Sequence, residues 1–222
     1  MSLIKKNIHN ITDELKHNNS KPDSVIRLVA VSKGQGQEKI LEALNAGHKI
    51  FGENYLQEAI DKQKGLTDYK IEWHFIGPIQ SNKCKLIAEN FQWVQTVDRI
   101  KVADKLNMFN TNQTPLNICI QINISNEDTK SGVKINEIDA LADHISTLGK
   151  LKLRGLMAIP SNTSKDKILM NEYKQLKMLY EDLKFKHSTI DTLSLGMSND
   201  YLLAIKNGSN LVRIGSKIFG SR

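Results

Sequence analysis

Apolar runs rich in β-branched residues alternate with amphipathic segments along the whole chain. The runs have the length and composition of buried strands, and the segments between them repeat with the period of about 3.6 residues that is typical of helices. The pattern predicts strands at residues 25–33, 48–54, 71–77, 91–97, 116–123, 151–159, 191–197 and 210–215. It predicts helices at residues 3–17, 38–46, 55–64, 99–109, 135–148, 165–184 and 200–207, and one more after Ser81.

This regular alternation indicates an α/β fold with a parallel sheet and helical crossovers. About eight such units favour a closed (β/α)8 TIM barrel, with an open doubly wound sheet as the alternative. No helix-length segment follows the eighth predicted strand, so we expect the extra N-terminal helix to cover that gap. The expectation is a single barrel domain over residues 1–222.

The charge is basic, because 31 Lys and Arg residues face 24 Asp and Glu residues for a net charge of +7. The lysines are spread along helical faces beside acidic residues, without a basic block that includes aromatics, so we expect no nucleic-acid partner. The excess charge would still attract phosphorylated ligands. No apolar segment is as long as a membrane span, and the N-terminus lacks the apolar region of a signal peptide. We expect a cytoplasmic protein without a membrane partner.

Cysteine and histidine usage gives no metal-binding pattern. Cys84 and Cys119 lie in apolar surroundings without a CxxC motif, which predicts two buried, reduced thiols. The six histidines lack the spacing of metal ligands. We therefore expect no metal site.

Ligands of such barrels bind at the carboxyl ends of the strands, so the residues at those ends are candidates for the site. Lys33 ends the first predicted strand, on the face that also carries Val29 and Val31. Partial burial favours the uncharged form of an amine, which is the form that condenses with an aldehyde. The alternative is a solvated lysine at a strand end.

A turn with the sequence Gly-Met-Ser-Asn-Asp at residues 196–200 joins the seventh predicted strand to a helix. We expect Ser198 or Asn199 to be the N-cap, which leaves backbone N–H groups available for a phosphate. An ordinary capped helix is the alternative.

The eighth strand ends in Arg213-Ile214-Gly215-Ser216. Gly215 allows a close backbone approach, and the loops after strands seven and eight form the recurrent phosphate site of this architecture. Either Arg213 or Ile214 faces inward. An inward arginine would contact a ligand or pair with a carboxylate.

A reactive lysine, a phosphate site and an inward arginine suit an aldehyde that carries a phosphate, and pyridoxal 5'-phosphate is the obvious candidate. A Schiff-base aldolase for a phosphosugar would need similar groups and a proton shuttle. Glu53, Asp98 and His74 are available for that shuttle, although we expect His74 to pack and Asp98 to form a salt link.

Nine segments carry a resemblance to a known family, in family order and over nearly the whole chain. They are AVSK (30–33), FGENYLQE (51–58), WHFIGPIQSNK (73–83), VQTVDR (94–99), QINIS (121–125), KSGV (130–133), LRGLMAIP (153–160), LSLGMSND (193–200) and VRIGSKIFGSR (212–222). On these residues the chain resembles the pyridoxal phosphate homeostasis protein family, which is itself similar to the N-terminal barrel of alanine racemase.

The resemblance implies pyridoxal 5'-phosphate as the cofactor, held as a Schiff base by Lys33. It implies that the phosphate lies on the loops after strands seven and eight and that Arg213 faces the pyridine nitrogen, which weakens the ring as an electron sink. The cofactor-binding residues that it implies are Lys33, Asn54, Met197, Ser198, Arg213, Gly215 and Ser216.

The resemblance also implies a role in vitamin B6 and amino acid homeostasis, without catalytic residues. Racemases add a β-domain that supplies a second general base, and we expect no counterpart here. The alternative is a pyridoxal-phosphate-dependent enzyme with weak racemase-type activity on amino acids. Amino acids and cofactor-requiring apoenzymes are the further partners implied, and we expect a monomer.

One loop departs from the family pattern next to Lys33. The family has Thr or Phe, a polar residue and Pro after AVSK, whereas this chain has Gly34-Gln35-Gly36. Two glycines predict a more mobile loop and remove a possible hydroxyl contact, with an effect on cofactor affinity or release.

Overall fold

The computed structural model describes residues 2–19, 25–127, 130–161 and 166–220. Eight parallel strands form a closed barrel in sequential order. They are β1 (Arg27–Val31), β2 (Ile50–Glu53), β3 (Glu72–Phe75), β4 (Trp93–Val97), β5 (Leu116–Ile122), β6 (Leu151–Ala158), β7 (Thr192–Ser194) and β8 (Leu211–Ile214).

The helices of the described part of the chain are α1 (Leu3–His17), α2 (Gln37–Asn45), α3 (Leu56–Lys64), α4 (Cys84–Asn90), α5 (Ile100–Phe109), α6 (Ile138–Ser146), α7 (Asp166–Lys186), α8 (Tyr201–Lys206) and α9 (Ser216–Phe219). Seven of these helices lie between consecutive strands, whereas α1 precedes β1 and α9 follows β8. A single 3-10 turn, Ile135–Glu137, precedes α6.

Pairing of the first strand with the last closes the barrel. In this pair Arg27 is opposite Leu211 and Ala30 is opposite Ile214. The predicted (β/α)8 barrel is therefore confirmed, and the open-sheet alternative is wrong. The closed ring brings the ends of β1, β7 and β8 to one rim, because all eight strands are parallel.

The extra N-terminal helix is also confirmed, with the predicted bounds. Its buried residues Ile4, Ile8, Ile11 and Leu15 recur every three to four positions and so form one apolar face. The helix contacts α2 and α9, and the Asn7 side-chain amide donates a hydrogen bond to the Ile218 carbonyl over 3.0 Å. It therefore packs where the barrel closes.

Several predicted ends of elements differ from the structure by one to three residues. Strand β7 covers only Thr192–Ser194, because the chain bends at Gly196, where φ is 91°. A short helix, α9, does follow β8, where we expected none. Helix α7 continues to Lys186, and the predicted start of this helix at Lys165 lies outside the described residues.

Both cysteines are buried and are not joined by a disulfide, as predicted. Burial raises the pKa of the Cys119 thiol to about 12, so this thiol stays protonated at neutral pH. None of the helices that the structure describes has the length and apolarity needed to cross a membrane.

Candidate functional site

A cavity of about 710 Å³ opens at the carboxyl ends of the strands. Its walls come from strand ends and from the loops that follow β1, β6, β7 and β8. The structure brings together all seven cofactor-binding residues that the sequence predicts, Lys33, Asn54, Met197, Ser198, Arg213, Gly215 and Ser216, around this one cavity. The cavity lies where ligands bind in other barrels of this architecture.

Strand β1 ends at Val31, so Lys33 does not end the strand as predicted but lies in the turn that follows it. Val31 and Lys33 both line the cavity, whereas Ser32 between them is fully buried and lies outside its wall. The side chains thus continue the period-2 alternation of β1 for two residues beyond the strand. The lysine is half-buried at the cavity wall, which differs from the fully solvated strand end of the alternative interpretation.

The glycine-containing loop after Lys33 is held by several hydrogen bonds. Gly34 N–H donates to Glu58 Oε1 over 2.6 Å, and Gln35 N–H donates to the Ser32 carbonyl over 3.0 Å. Gln35 is only 8% exposed, and its Oε1 accepts a hydrogen bond of 2.6 Å from Lys39 Nζ. The loop therefore has contacts that its two glycines did not predict.

Arg213 faces inward from β8 and is 5% exposed. Its Nη1 donates to the carbonyl and the hydroxyl oxygen of Ser194 over 2.8 and 2.6 Å, and its Nη2 donates to the Ala158 carbonyl over 3.0 Å. Burial lowers the pKa of the guanidinium to about 10, against the opposing charge of Asp200. Arg213 is thus a fixed cation at neutral pH, bonded to neutral oxygens at one side and lining the cavity at the other.

The turn between β7 and α8 differs from the prediction in its capping residue. The N-cap of α8 is Asp200, with φ −134°, and neither Ser198 nor Asn199 caps the helix. The Asp200 carboxylate accepts hydrogen bonds from Met197 N–H over 2.7 Å and from the Tyr173 hydroxyl over 2.6 Å. These bonds hold the carboxylate against the turn, so Ser198 and Asn199 precede the helix and line the cavity.

Gly215 and Ser216 form the junction between β8 and α9. Gly215 is the N-cap of α9 and Ser216 is its first residue. A Cβ at position 215 would lie 3.1 Å from the Val31 carbonyl oxygen, so glycine permits the close approach of this junction to β1. The hydroxyl of Ser216 is thereby brought to the same rim as Lys33.

Asn54 follows β2 and contributes an unsatisfied acceptor. Its Oδ1 is buried and has no hydrogen-bond partner among the described residues. A buried polar atom of this kind usually has a partner in the functional state. The position is therefore suited to a ligand that donates a hydrogen bond.

The three candidate proton-shuttle residues lie outside the cavity wall. Glu53 is fully buried and bonded to Ser32 and Lys62. Asp98 pairs with Arg99, as predicted. His74 is fully buried and stacks on Trp93 with 5.1 Å between ring centroids, in line with the expected packing role. No group of three or more metal-ligating side chains occurs in the described ranges.

Sequence comparison gives the family. The family model described as "Alanine racemase, N-terminal domain" matches residues 4–222. The pyridoxal phosphate homeostasis protein of Vibrio alginolyticus is 47% identical over 231 residues, which cover 100% of this chain and 99% of the relative. This chain belongs to the pyridoxal phosphate homeostasis protein family.

Solved structures support the same assignment. PipY of Synechococcus elongatus PCC7942, with PLP bound, is 30% identical and superposes with a TM-score of 0.86, covering 98% of this homeostasis-family chain and 100% of PipY. Without PLP, PipY gives a TM-score of 0.89. Alanine racemase from Corynebacterium glutamicum is 19% identical, with a TM-score of 0.70 over 99% of this chain and 61% of the racemase, which shows the shared fold alone.

Several cavity residues of this family member were not predicted as cofactor-binding. Met157 could have been predicted, because it lies two positions before Ile159, the last residue of the predicted strand, and so shares its face. Both residues line the cavity. Leu169 reaches the cavity from α7, and Gly220 reaches it from the segment after α9. No periodic signal marks a residue outside the strands that reaches over a barrel rim, so these two contacts became visible only in the fold.

Proposed function

We propose that this chain binds pyridoxal 5'-phosphate as a Schiff base on Lys33 and acts in the cytoplasm in vitamin B6 and amino acid homeostasis. The observation that carries the proposal is that Lys33, Arg213 and the turns after β7 and β8 line one cavity. The names of the homeostasis relatives and the PLP-bound PipY structure support the choice of ligand.

The residues present fit this ligand. When bound, pyridoxal 5'-phosphate supplies an aldehyde, which condenses with a lysine amine with loss of one water. Ser198 and Ser216 would donate hydrogen bonds to the phosphate, and the fixed cation of Arg213 would face the pyridine nitrogen. The unsatisfied Oδ1 of Asn54 would accept a hydrogen bond from a polar group of the ring.

The cavity chemistry supports a carrier rather than an enzyme. The ionisable residues among the described ones in the cavity wall are Lys33, Asp200 and Arg213. Asp200 already accepts two hydrogen bonds, and Arg213 is held as a cation. Among these residues only Lys33 is suited to abstract a proton. A racemase needs a second such group.

Chemical trapping tests the covalent part of the proposal. The chain is incubated with pyridoxal 5'-phosphate, reduced with borohydride and digested for peptide mass spectrometry. We expect visible absorbance before reduction and the reduced adduct on Lys33. Lys33→Ala should lose both, whereas Lys49→Ala, at an exposed position outside the cavity, should keep them. An adduct that persists in Lys33→Ala would overturn the lysine assignment.

Turnover distinguishes the carrier from the alternative, a weak racemase-type enzyme. Amino acids are added to the loaded protein, and the enantiomeric ratio is followed by chiral chromatography. We expect one exchange of the covalent bond per site and no steady change in that ratio. Continued racemisation in the unaltered chain that disappears in Lys33→Ala would establish the enzyme instead.

A further inference from the structure

A second lysine, Lys62 on α3, lies beneath the Lys33 turn. It is 5% exposed, which is unusual for a lysine. Its Nζ donates to the Ser32 carbonyl over 2.7 Å, to Glu53 Oε1 over 2.7 Å and to Glu58 Oε1 over 2.5 Å. All three ammonium protons therefore have an acceptor, as burial of this group requires.

The two carboxylates bonded to Lys62 also contact the residues on both sides of Lys33. Glu53 Oε1 accepts a hydrogen bond from the Ser32 hydroxyl over 2.7 Å. Glu58 Oε1 accepts one from Gly34 N–H over 2.6 Å.

Glu53 is fully buried, and burial raises the pKa of its carboxyl group. The hydrogen bonds from Lys62 and Ser32 oppose this rise without cancelling it. The charge of Lys62 is thus the main compensation for a carboxylate that packs against the turn.

Gly34 makes this support necessary. It has φ 70°, a left-handed conformation that glycine adopts without strain but also leaves readily. Before Lys33, Ser32 is held through its carbonyl, which is bonded to Lys62, and through its hydroxyl, which is bonded to Glu53. After Lys33, the Gly34 N–H is bonded to Glu58. Both carboxylates accept hydrogen bonds from Lys62.

We propose that Lys62 is a positioning residue for Lys33: through Glu53, Glu58 and the Ser32 carbonyl it fixes the turn from which the Lys33 side chain enters the cavity. The inference rests on the proposed function of Lys33. Lys62 does not line the cavity, so it acts through the backbone and not on the ligand.

This role predicts a split between two measurable quantities. Positioning governs how often the Lys33 amine meets the aldehyde, so loss of Lys62 should slow covalent attachment by roughly 10-fold. Affinity for a ligand without an aldehyde should stay unchanged, because Ser198 and Ser216, which would hold the phosphate, lie on turns that are not bonded to Lys62 in the described residues.

The experiment uses the full chain and four variants. Lys62→Met removes the ammonium, and Glu53→Gln with Lys62→Met removes the buried charge of its partner as well. Lys62→Arg retains the charge, and Lys64→Met alters an exposed lysine that pairs with Asp61. The rate of covalent attachment is measured by borohydride trapping, the dissociation constant is measured for pyridoxine 5'-phosphate, and circular dichroism reports the fold.

We expect slow attachment with unchanged pyridoxine 5'-phosphate affinity in the double variant and in Lys62→Met, partial recovery in Lys62→Arg and no effect in Lys64→Met. If Lys62→Met does not fold, the double variant decides. Attachment at the normal rate in a folded double variant would overturn the inference, and so would an equal loss of attachment and affinity. If the unaltered chain traps nothing on Lys33, the proposed function fails instead.

Discussion

Arg213 donates a hydrogen bond to the hydroxyl oxygen of Ser194 over 2.6 Å, inside the barrel. The Ser194 proton is then directed to Gln95 Oε1, 2.7 Å away, and Gln95 Nε2 lies 2.7 Å from His74 Nδ1. His74 Nε2 lies 2.7 Å from Glu72 Oε1. A chain of donors thus runs from the cavity arginine to a carboxylate at the start of β3, with every proton pointing the same way.

This direction requires an uncharged His74, since Nδ1 must accept a hydrogen bond from Gln95 Nε2 while the Nε2–H of His74 donates one to Glu72. The pKa of His74 is lowered from 6.5 to about 4, chiefly by burial and in smaller part by the neighbouring Arg27 cation, while Glu72 opposes this shift. The folded protein therefore holds the neutral imidazole at pH values where the unfolded chain is already protonated.

His74→Asn should weaken the pH dependence of stability. Because the folded pKa lies below the unfolded one, stability is full above about pH 6.5 and is lost as the pH falls towards about 4. Between pH 7 and pH 5 the loss from His74 is about 2 kcal/mol, at about 1.4 kcal/mol per pKa unit. Urea denaturation at both pH values should show a difference smaller by that amount in the variant.

The matched control is His17→Asn, at an exposed position near the end of α1. It should retain the full difference between pH 7 and pH 5. The raised pKa of Glu53 acts in the opposite direction, but it is common to all three proteins and cancels in the comparison. An unchanged pH difference in His74→Asn would show that a group other than His74 causes it.

The barrel and the position of Lys33 were predictable because both follow from periodicity. Alternating strands and helices leave few architectures, and the period-2 alternation of β1, continued into the turn after it, points Val31 and Lys33 into the same cavity. The capping residue at β7–α8 was not predictable, because Ser198, Asn199 and Asp200 are all good N-caps. In the structure the Asp200 carboxylate accepts a hydrogen bond from the Tyr173 hydroxyl of another helix, and such a long-range contact leaves no local signal.

The Lys62 cluster was hidden in the sequence for a similar reason. Lys62 has acidic neighbours, as a solvated surface lysine on a helix would have. Only the packing of α3 against the β1 turn determines that this lysine is buried, whereas Lys64 on the same helix is exposed. Long-range burial of a charged residue leaves no local pattern.

Gly196→Ala should destabilise the chain by about 3 kcal/mol, from a left-handed backbone penalty of about 1–2 kcal/mol and overpacking of about 1–3 kcal/mol. Gly196 has φ 91°, and an added Cβ would lie 2.7 Å from the Ala204 Cβ and 2.8 Å from the Tyr201 Cα. Urea denaturation measures the change. Gly149→Ala, where no atom lies within 4 Å of the added Cβ, should stay within about 0.5 kcal/mol. Equal midpoints for the two variants would contradict the packing described for the β7–α8 turn.

Lys39→Ala should loosen the loop after Lys33. Lys39 Nζ donates to Gln35 Oε1 over 2.6 Å and to the Phe219 carbonyl over 3.2 Å, and so connects this loop to α9. Loss of a bond from a charged group costs about 1.5 kcal/mol, which corresponds to roughly 10-fold faster amide exchange if opening is local. Hydrogen-exchange mass spectrometry of residues 34–39 measures it. The exposed Lys49→Ala should exchange like the unaltered chain, and equal protection in Lys39→Ala would show that the bonds from Lys39 do not contribute to holding the loop.

Ser198→Ala combined with Ser216→Ala should release pyridoxal 5'-phosphate faster while the fold survives. The two hydroxyls come from the turns after β7 and β8 and line the cavity that contains Lys33. A hydrogen bond to a charged group contributes about 1.5–3 kcal/mol, so loss of two such bonds should raise the release rate by at least roughly 100-fold, unless the covalent bond to Lys33 limits release. Dialysis of the loaded protein, with its visible absorbance as the signal, measures the rate.

Pyridoxine 5'-phosphate, which forms no covalent bond, isolates the phosphate contribution. Ser216 is exposed and Ser198 is half-buried, so circular dichroism should match that of the unaltered chain, and Ser81→Ala, outside the cavity, should release at the normal rate. Retention of both ligands by the double variant would mean that the phosphate is bound by other groups.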